Sequence, residues 1–448
     1  MSAFALVAIL AATPITLQQV RELSRRNTQA LLSDLDRARA HEQTRIASSA
    51  IYPQLDVGTQ VSEVYIGPQR STQGVPVTDP TTGVPTGQII YRETQSSSTT
   101  QGRHNITATL TQLFFDGGKW WNQIRQAGAT EEALKGQALE QQMASELEGA
   151  RRFYALFGAQ RALDVYLATV QRSQELLDRA NALYEAGRLS KSDAIQAQVN
   201  LGNDRITATR QRSTIAAAQS DLAVWIAHPG AEDLVAQDPG TMQGTPPPPP
   251  AFDEAAKAAR ERRPLLKQLA SQIRAAESAT AVAGAGFFPT ISGQATYLRA
   301  GSSIDPVFTN IRLQNQFTLG VILRWNLFSG FSTMATQSQA GYSEVTAKLN
   351  YEQAQREIQG DLRRYLRAVE IQAETSQIAL ENRDASAAGL ALAEERYRAG
   401  VASTLETRDA QLKLTIAELT LLQARIELQN AREALARTMG GYLEEGRP

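Results

Sequence analysis

Apolar residues along the chain follow two different periods. Between Trp121 and Leu183 there is no proline, and Leu147, Ala150, Tyr154 and Phe157, then Leu163, Tyr166, Leu167 and Val170, recur at three- and four-residue steps. That spacing lays one apolar stripe along a long α-helix. Near residue 320 the period becomes two. Phe317, Leu319, Val321, Leu323, Trp325 and Leu327 alternate with Gln316, Thr318, Gly320, Ile322, Arg324 and Asn326. The run is about 11 residues, the length of a membrane-crossing β-strand. Ile106, Ala108, Leu110 and Phe114 alternate with Asn105, Thr107, Thr109 and Thr111 in the same way. Weaker outgoing strands are predicted at Leu55, Val57, Thr59, Val61 and at Ile291, Gly293, Ala295, Tyr297. A soluble, half-buried hairpin alternates too, so one strand alone does not decide between water and lipid. Residues 67–103 are polar and rich in Gly, Pro, Ser and Thr, which predicts an external loop or disorder.

The pattern occurs twice. LYEAGRLSKSDAIQAQVNL, starting at Leu183, aligns with RYRAGVASTLETRDAQLKL, starting at Arg396, with seven of nineteen positions identical. The offset of 213 also aligns Phe114-Phe115-Asp116-Gly117 with Leu327-Phe328-Ser329-Gly330. Gly117 to Gly187 and Gly330 to Gly400 are both 70 residues, a gap-free helical rod of about 105 Å. Upstream, Ile51-Tyr52-Pro53 aligns with Phe287-Phe288-Pro289 at offset 236, so the first copy carries a 23-residue insertion. Each copy reads helix, proline, strand, loop, strand, glycine, long helix, tight turn, helix. In the first copy the shorter helices are expected at roughly 16–50 and 190–227, stacked end to end beside the long one. Internal duplication of this kind sets the domain plan. It comprises a truncated signal peptide (1–13), a first repeat (14–228, hairpin about 54–115) and a Pro-rich linker (229–252). A second repeat (253–440, hairpin about 290–328) and a tail (441–448) complete it. Five consecutive prolines in the join suit an extended surface connector.

Composition narrows the chemistry. Forty-five basic residues face 46 acidic ones, which gives no sign of nucleic acid binding. Aromatics are 6% and cysteine is absent, which excludes disulfides, thiolate metal sites and a cysteine nucleophile. The three histidines form no ligand-spaced pair, so no metal and no cofactor is expected. No Gly-rich phosphate loop or nucleophile elbow is present, so an enzyme is not expected.

Two hairpins supply four strands, and about eight are needed to close a barrel. Open strand edges cannot stand in lipid, where unpaired backbone groups find no water. The barrel must therefore be shared. Two chains would give eight strands and a filled interior; three give twelve strands and a channel.

The duplicated motifs resemble those of the TolC-like outer membrane efflux family. They are Tyr52-Pro53 and Phe288-Pro289, the hinges ending at Gly117 and Gly330, and the turns Tyr184 to Gly187 and Tyr397 to Gly400. The resemblance covers about Thr16 to Gly440. It implies a mostly α protomer with four transmembrane β-strands, and three such protomers would form a 12-strand barrel continuous with a helical tunnel. Gly117, Gly330, Pro53 and Pro289 would be the barrel–tunnel hinges. The implied function is the outer-membrane exit duct of a tripartite efflux or type I secretion system. The duct would be passive, gated at its periplasmic tip, and fed through a periplasmic adaptor (membrane fusion protein) by an inner-membrane pump of RND or ABC type. Outer membrane lipid would surround the barrel.

At the tips, Gly187 and Gly400 are expected as left-handed C-caps, with Ser190/Asp193 and Ser403/Glu406 capping the returning helices. By resemblance, Tyr397 matches a latch tyrosine, with Tyr184 its counterpart in the other turn. Glu406 and Asp409, on one helix face, match acids that charge the pore entrance, and Asp193 matches a further acid. Rings of such acids favour cations. Ala402 stands where the family latch has an arginine, and Arg188 is the substitute at hand. Arg188, Ser190, Lys191 and Arg398 are adaptor-contact candidates by position. The competing readings are a periplasmic adaptor, which predicts one hairpin and compact β-domains, and a soluble coiled-coil scaffold, which leaves the amphipathic strands unexplained.

Overall fold

The computed structural model describes residues 13–228, 234–240, 242, 247–303, 307 and 315–441. Residues 1–12 of the signal segment expected at 1–13, and residues 442–448 of the tail expected at 441–448, lie outside them. The described chain divides into two compact units. One holds most of the helices; the other, residues 43–127 and 276–342, holds the sheet and the helix ends beside it.

The sheet unit is built from β2 (Gln54–Ile66), β5 (Thr99–Phe115), β7 (Thr290–Gly301) and β8 (Asn315–Arg324). They pair antiparallel in the order β2-β5-β7-β8. Register aligns Leu55 with Leu110 and Ala295 with Leu319. It also aligns Val57 with Ala108, Tyr297 and Phe317. Side chains alternate across a strand, so these residues share one apolar face. Phe317, Leu319 and Val321 are 70–75% exposed on it. Thr109, Thr296 and Thr318 align on the opposite, polar face. A bulge between Leu113 and Phe115 sets Phe114 over Gly293, where a Cβ would lie 2.7 Å from the ring. Among the described residues, β2 and β8 each have a partner on one side only. Exposed aromatics cluster where strands meet helices: Tyr52, Phe114, Phe288, Trp325 and Phe328. That is the position of the interfacial girdle on a membrane barrel.

Two expectations change here. Residues 67–103 are not an irregular loop. They hold a second hairpin, β3 (Arg70–Thr78) with β4 (Pro85–Gln95), and the first five residues of β5. Gln69 and Ser96 close its base, the Ser96 N–H donating to the Gln69 carbonyl at 2.9 Å. Strand β8 stops at Arg324, before Trp325 and Leu327. The Trp325 indole instead donates to the Phe287 carbonyl at 3.2 Å, which ends the ladder. Replacing 69–96 by a short turn is expected to leave the β2–β5 ladder and the native-gel oligomer intact. Loss of the oligomer would mean that this hairpin packs against the sheet.

In the helical unit, α3 (Lys119–Glu185) returns as α4 (Lys191–Trp225), and α7 (Ser332–Arg398) returns as α8 (Thr404–Met439). The helix expected at 16–50 is two helices, α1 (Leu17–Ser24) and α2 (Thr28–Ser49). Asn27 breaks it: its side-chain oxygen accepts from the Ala30 N–H at 2.9 Å, an N-cap contact. The second copy breaks at the matching place, between α5 (Phe252–Arg262) and α6 (Pro264–Gly284), with proline in the first turn. Part of the linker is also ordered. Leu234–Ala236 forms β6, parallel to β1 (Thr13–Ile15), and Leu234 is fully buried. It joins a core of Val20, Phe153, Tyr154, Leu156, Phe157 and Leu222. A matching core in the second copy gathers Ala259, Leu266, Ile358, Leu362, Leu366, Leu428 and Leu435.

Candidate functional site

The two turns are built alike. Gly187 has φ +66° and Gly400 has φ +75°. The Gly187 N–H donates to the Tyr184 carbonyl, and Arg188 N–H to Leu183, at 2.9 and 2.8 Å. Gly400 and Val401 repeat this with Tyr397 and Arg396 at 3.1 and 3.0 Å. Both are Schellman caps, which need a left-handed residue at the glycine. Ser190 then accepts from the Asp193 N–H at 3.2 Å, and Ser403 from the Glu406 N–H at 3.1 Å. The returning helices begin where these caps form.

The side chains around the turns are not equivalent. Tyr397 is 5% exposed, and the Thr404 hydroxyl lies 3.5 Å from its phenol oxygen. Tyr184 is 42% exposed. Glu406 pairs with Arg396 at 3.2 Å, across its own hairpin. Asp409 pairs with Lys413 at 2.6 Å, one turn along α8. Asp193 accepts from the Ser190 hydroxyl at 2.7 Å and is not joined to the other two acids. A Cβ at Gly400 would lie 3.9 Å from an Arg188 guanidinium nitrogen, so the first turn's arginine reaches the second turn. Lys191 is exposed, and Arg398 is 3.9 Å from Glu394. Sequence reasoning missed Arg396 and Lys413. Lys413 sits four residues after Asp409, a readable spacing; Arg396 meets Glu406 only once the hairpin folds.

The hinges differ in the same way. Gly117 has φ +72° and Gly330 has φ +59°. Only Gly117 is closely packed, against Phe288 and the Ala285 carbonyl. After each glycine a long helix starts on a side-chain cap: Asp116 accepts from the Trp120 N–H at 2.8 Å, and Ser329 from Thr333 at 3.3 Å. Pro53 and Pro289 sit one residue before β2 and β7. Among the described residues no group of three or more His, Asp and Glu is placed to hold a metal ion.

The family model for outer membrane efflux proteins matches residues 20–227 and 255–441, in two blocks separated at the proline-rich join. The chain belongs to this family. This efflux protein is therefore an outer membrane channel extending into the periplasm, not an enzyme. It works as a trimer within a tripartite efflux system, and the adaptor and scaffold readings fall. Its fold is similar to that of the Neisseria gonorrhoeae MtrE outer membrane channel in its open state. There the identity is 18% and the TM-score 0.76, over 95% of this chain and 89% of that one. The Campylobacter jejuni CmeC outer membrane channel gives 14% identity and a TM-score of 0.75, over 96% and 87%. A membrane protein from Pseudomonas aeruginosa gives 19% and 0.75, over 95% and 93%. Among curated proteins none matches the sequence.

Proposed function

We propose that this efflux protein is a passive exit duct whose cation-preferring entrance lies at the Gly187 and Gly400 turns. The observation that carries the duct is the four-stranded sheet, with one continuous apolar face and, among the described residues, an edge without a neighbouring strand on both β2 and β8. In lipid those edges must be covered. Pairing β8 of one copy with β2 of the next, three times, closes a 12-strand barrel with the apolar face outward. Hinges at Pro53 and Pro289 turn the chain from helix to strand, and hinges at Gly117 and Gly330 turn it back to helix. Repeats at 14–228 and 253–440, joined by the linker, each contribute one hairpin to the trimer.

The tips carry the gate. Tyr397 holds the second turn to α8 through Thr404, and Arg188 reaches that turn in place of the arginine absent at Ala402. Glu406 and Asp409 are half-exposed, and exposed ion pairs are weak. Arg396 and Lys413 therefore leave these carboxylates available to cations, and Asp193 adds a third acid per chain. Arg188, Ser190, Lys191 and Arg398 present polar surface to a periplasmic adaptor. An inner-membrane pump of RND or ABC type supplies the energy. The test is the reversal potential of the trimer in a planar bilayer under a salt gradient. E406Q/D409N is expected to lower cation preference and Arg396→Gln to raise it. Unchanged potentials in both would remove these residues from the conducting path.

A further inference from the structure

The two edges of the sheet carry opposite charges. On its polar face β2 has one charged residue, Asp56, and β8 has one, Arg324. Asp56 aligns with Thr109, Thr296 and Thr318 across the sheet. Arg324 lies six residues along β8 from Thr318, so it shares that face. Both sit at the helix end of the sheet, Asp56 third in β2 and Arg324 last in β8. Both are exposed, and among the described residues neither side chain has a hydrogen bond or an ion pair. Within one protomer they stay apart, because two strands lie between them and hold β2 and β8 about 14 Å apart.

Strand length and alternation limit how β8 of one copy meets β2 of the next. The 10 residues of β8 fit fully on the 13 of β2 in four ways. A slip of one residue turns the apolar row of β8 onto the polar face of β2, so two of the four are lost. In one of the two that remain, Arg324 is opposite Asp56 and Thr318 is opposite Ser62. In the other, Arg324 is opposite Gln54 and Thr318 is opposite Gln60, and Asp56 becomes the diagonal neighbour of Arg324. Diagonal neighbours lie about 7–8 Å apart, within reach of a long side chain. Arg324 therefore meets Asp56 of the next copy in both.

We propose that Asp56 of one copy and Arg324 of the next form the recognition pair of the subunit seam, which sets the register of β8 on β2 and selects that contact over like edges. Copies inserted in the same direction would join β2 to β2, or β8 to β8, in parallel. In register, such a joint sets Asp56 beside Asp56 or Arg324 beside Arg324, and like charges directly opposite are destabilising. Opposite charges on unlike edges favour the head-to-tail contact that a rotation repeats into a ring. An exposed ion pair adds little affinity, so the pair acts through register and the rejection of wrong partners. The apolar rows do not discriminate, since Leu55 and Val57 pack as well on each other as on Leu319 and Val321. This inference rests on the closure of β8 on β2 proposed above.

The chain has no cysteine, so each introduced pair reports one contact. D56C/R324C and Q60C/T318C both lie on the polar face, and the assembled full-length trimers are treated with a short bifunctional maleimide. Both variants are expected to run as covalent trimers on a denaturing gel. Asp56→Arg or Arg324→Asp is expected to shorten the half-life of the heated trimer at least about tenfold, three seams each gaining a like-charge contact, and D56R/R324D to restore it. A link in Q60C/T318C without one in D56C/R324C overturns the pair and leaves the closure of the barrel standing. A link in neither removes the closure of β8 on β2 and the pair with it. Reversals that dissociate no faster than the parent overturn the recognition role even where D56C/R324C links. The cross-links decide the contact where a reversal fails to assemble.

Discussion

Gly117→Ala is expected to destabilise the folded protomer by about 2–5 kcal/mol, whereas Gly330→Ala at the duplicated hinge should cost about 1–2 kcal/mol. Both glycines have positive φ, so both pay the left-handed strain of an L side chain. At Gly330 nothing lies within 4 Å of an added Cβ, and the next residue, Phe331, already holds φ +64° with a full side chain. At Gly117 the added Cβ would sit 2.7 Å from the Phe288 Cβ and 2.9 Å from the Ala285 carbonyl oxygen. Neither atom is the free end of a flexible side chain. The turn Ala285–Phe287 and the start of β7 would have to shift, an overpacking cost of about 1–3 kcal/mol on top of the strain. A domain's whole margin is about 5–15 kcal/mol. Gly117→Ala should therefore lower the melting temperature of the detergent-extracted protein far more than Gly330→Ala. Equal losses would mean that the close packing on Phe288 does not govern this hinge.

The two hinges share a motif, and sequence alone treats them as equals. That marks the division between what was legible and what was not. Local rules were readable. Alternation gave the faces of β5 and β8, and a glycine followed three residues later by serine gave both turns, because caps depend on residues a few positions apart. The break at Asn27 was hidden because Arg25-Arg26-Asn27 contains neither glycine nor proline, and an N-cap asparagine looks like any polar surface residue. The β3–β4 hairpin was hidden because Gly74, Pro76 and Pro85 interrupt its alternation. Three-residue strands such as β1 and β6 have no period to detect. The Arg396 partner of Glu406 was out of reach because it depends on how separate helices meet.

The same dependence on distant partners governs Glu146, where an Arg25→Met variant is expected to lose about 3 kcal/mol or more at pH 7, the cost of breaking a buried pair, and clearly less at pH 5. The Glu146 side chain is 2% exposed on α3, and the Arg25 guanidinium, at the end of α1, donates to it at 2.6 Å. Burial pushes its carboxyl above the ordinary value; Arg25, by hydrogen bond and charge, and Arg21, by charge, pull it down, and Glu433 pushes it up. Without Arg25 the buried group escapes its unpaired charge by keeping a proton. The cost is that of protonating a carboxyl whose unfolded pKa is about 4.3, or about 1.4 kcal/mol for each pH unit above it. The sign follows from linkage. Between the unfolded and the raised folded value, the folded state holds a proton that the unfolded state has released, so stability falls as pH rises through that window. Below the unfolded value both states are protonated and the deficit vanishes. Adding Glu146→Gln to Arg25→Met removes the titrating group, so the double variant should recover most of the loss at pH 7 and lose this pH-dependent part of its stability. Thermal melts of the three variants at the two pH values check this. A loss in Arg25→Met that is equal at pH 5 and pH 7 would show that Arg25 acts through packing of α1 on α3 rather than through its charge.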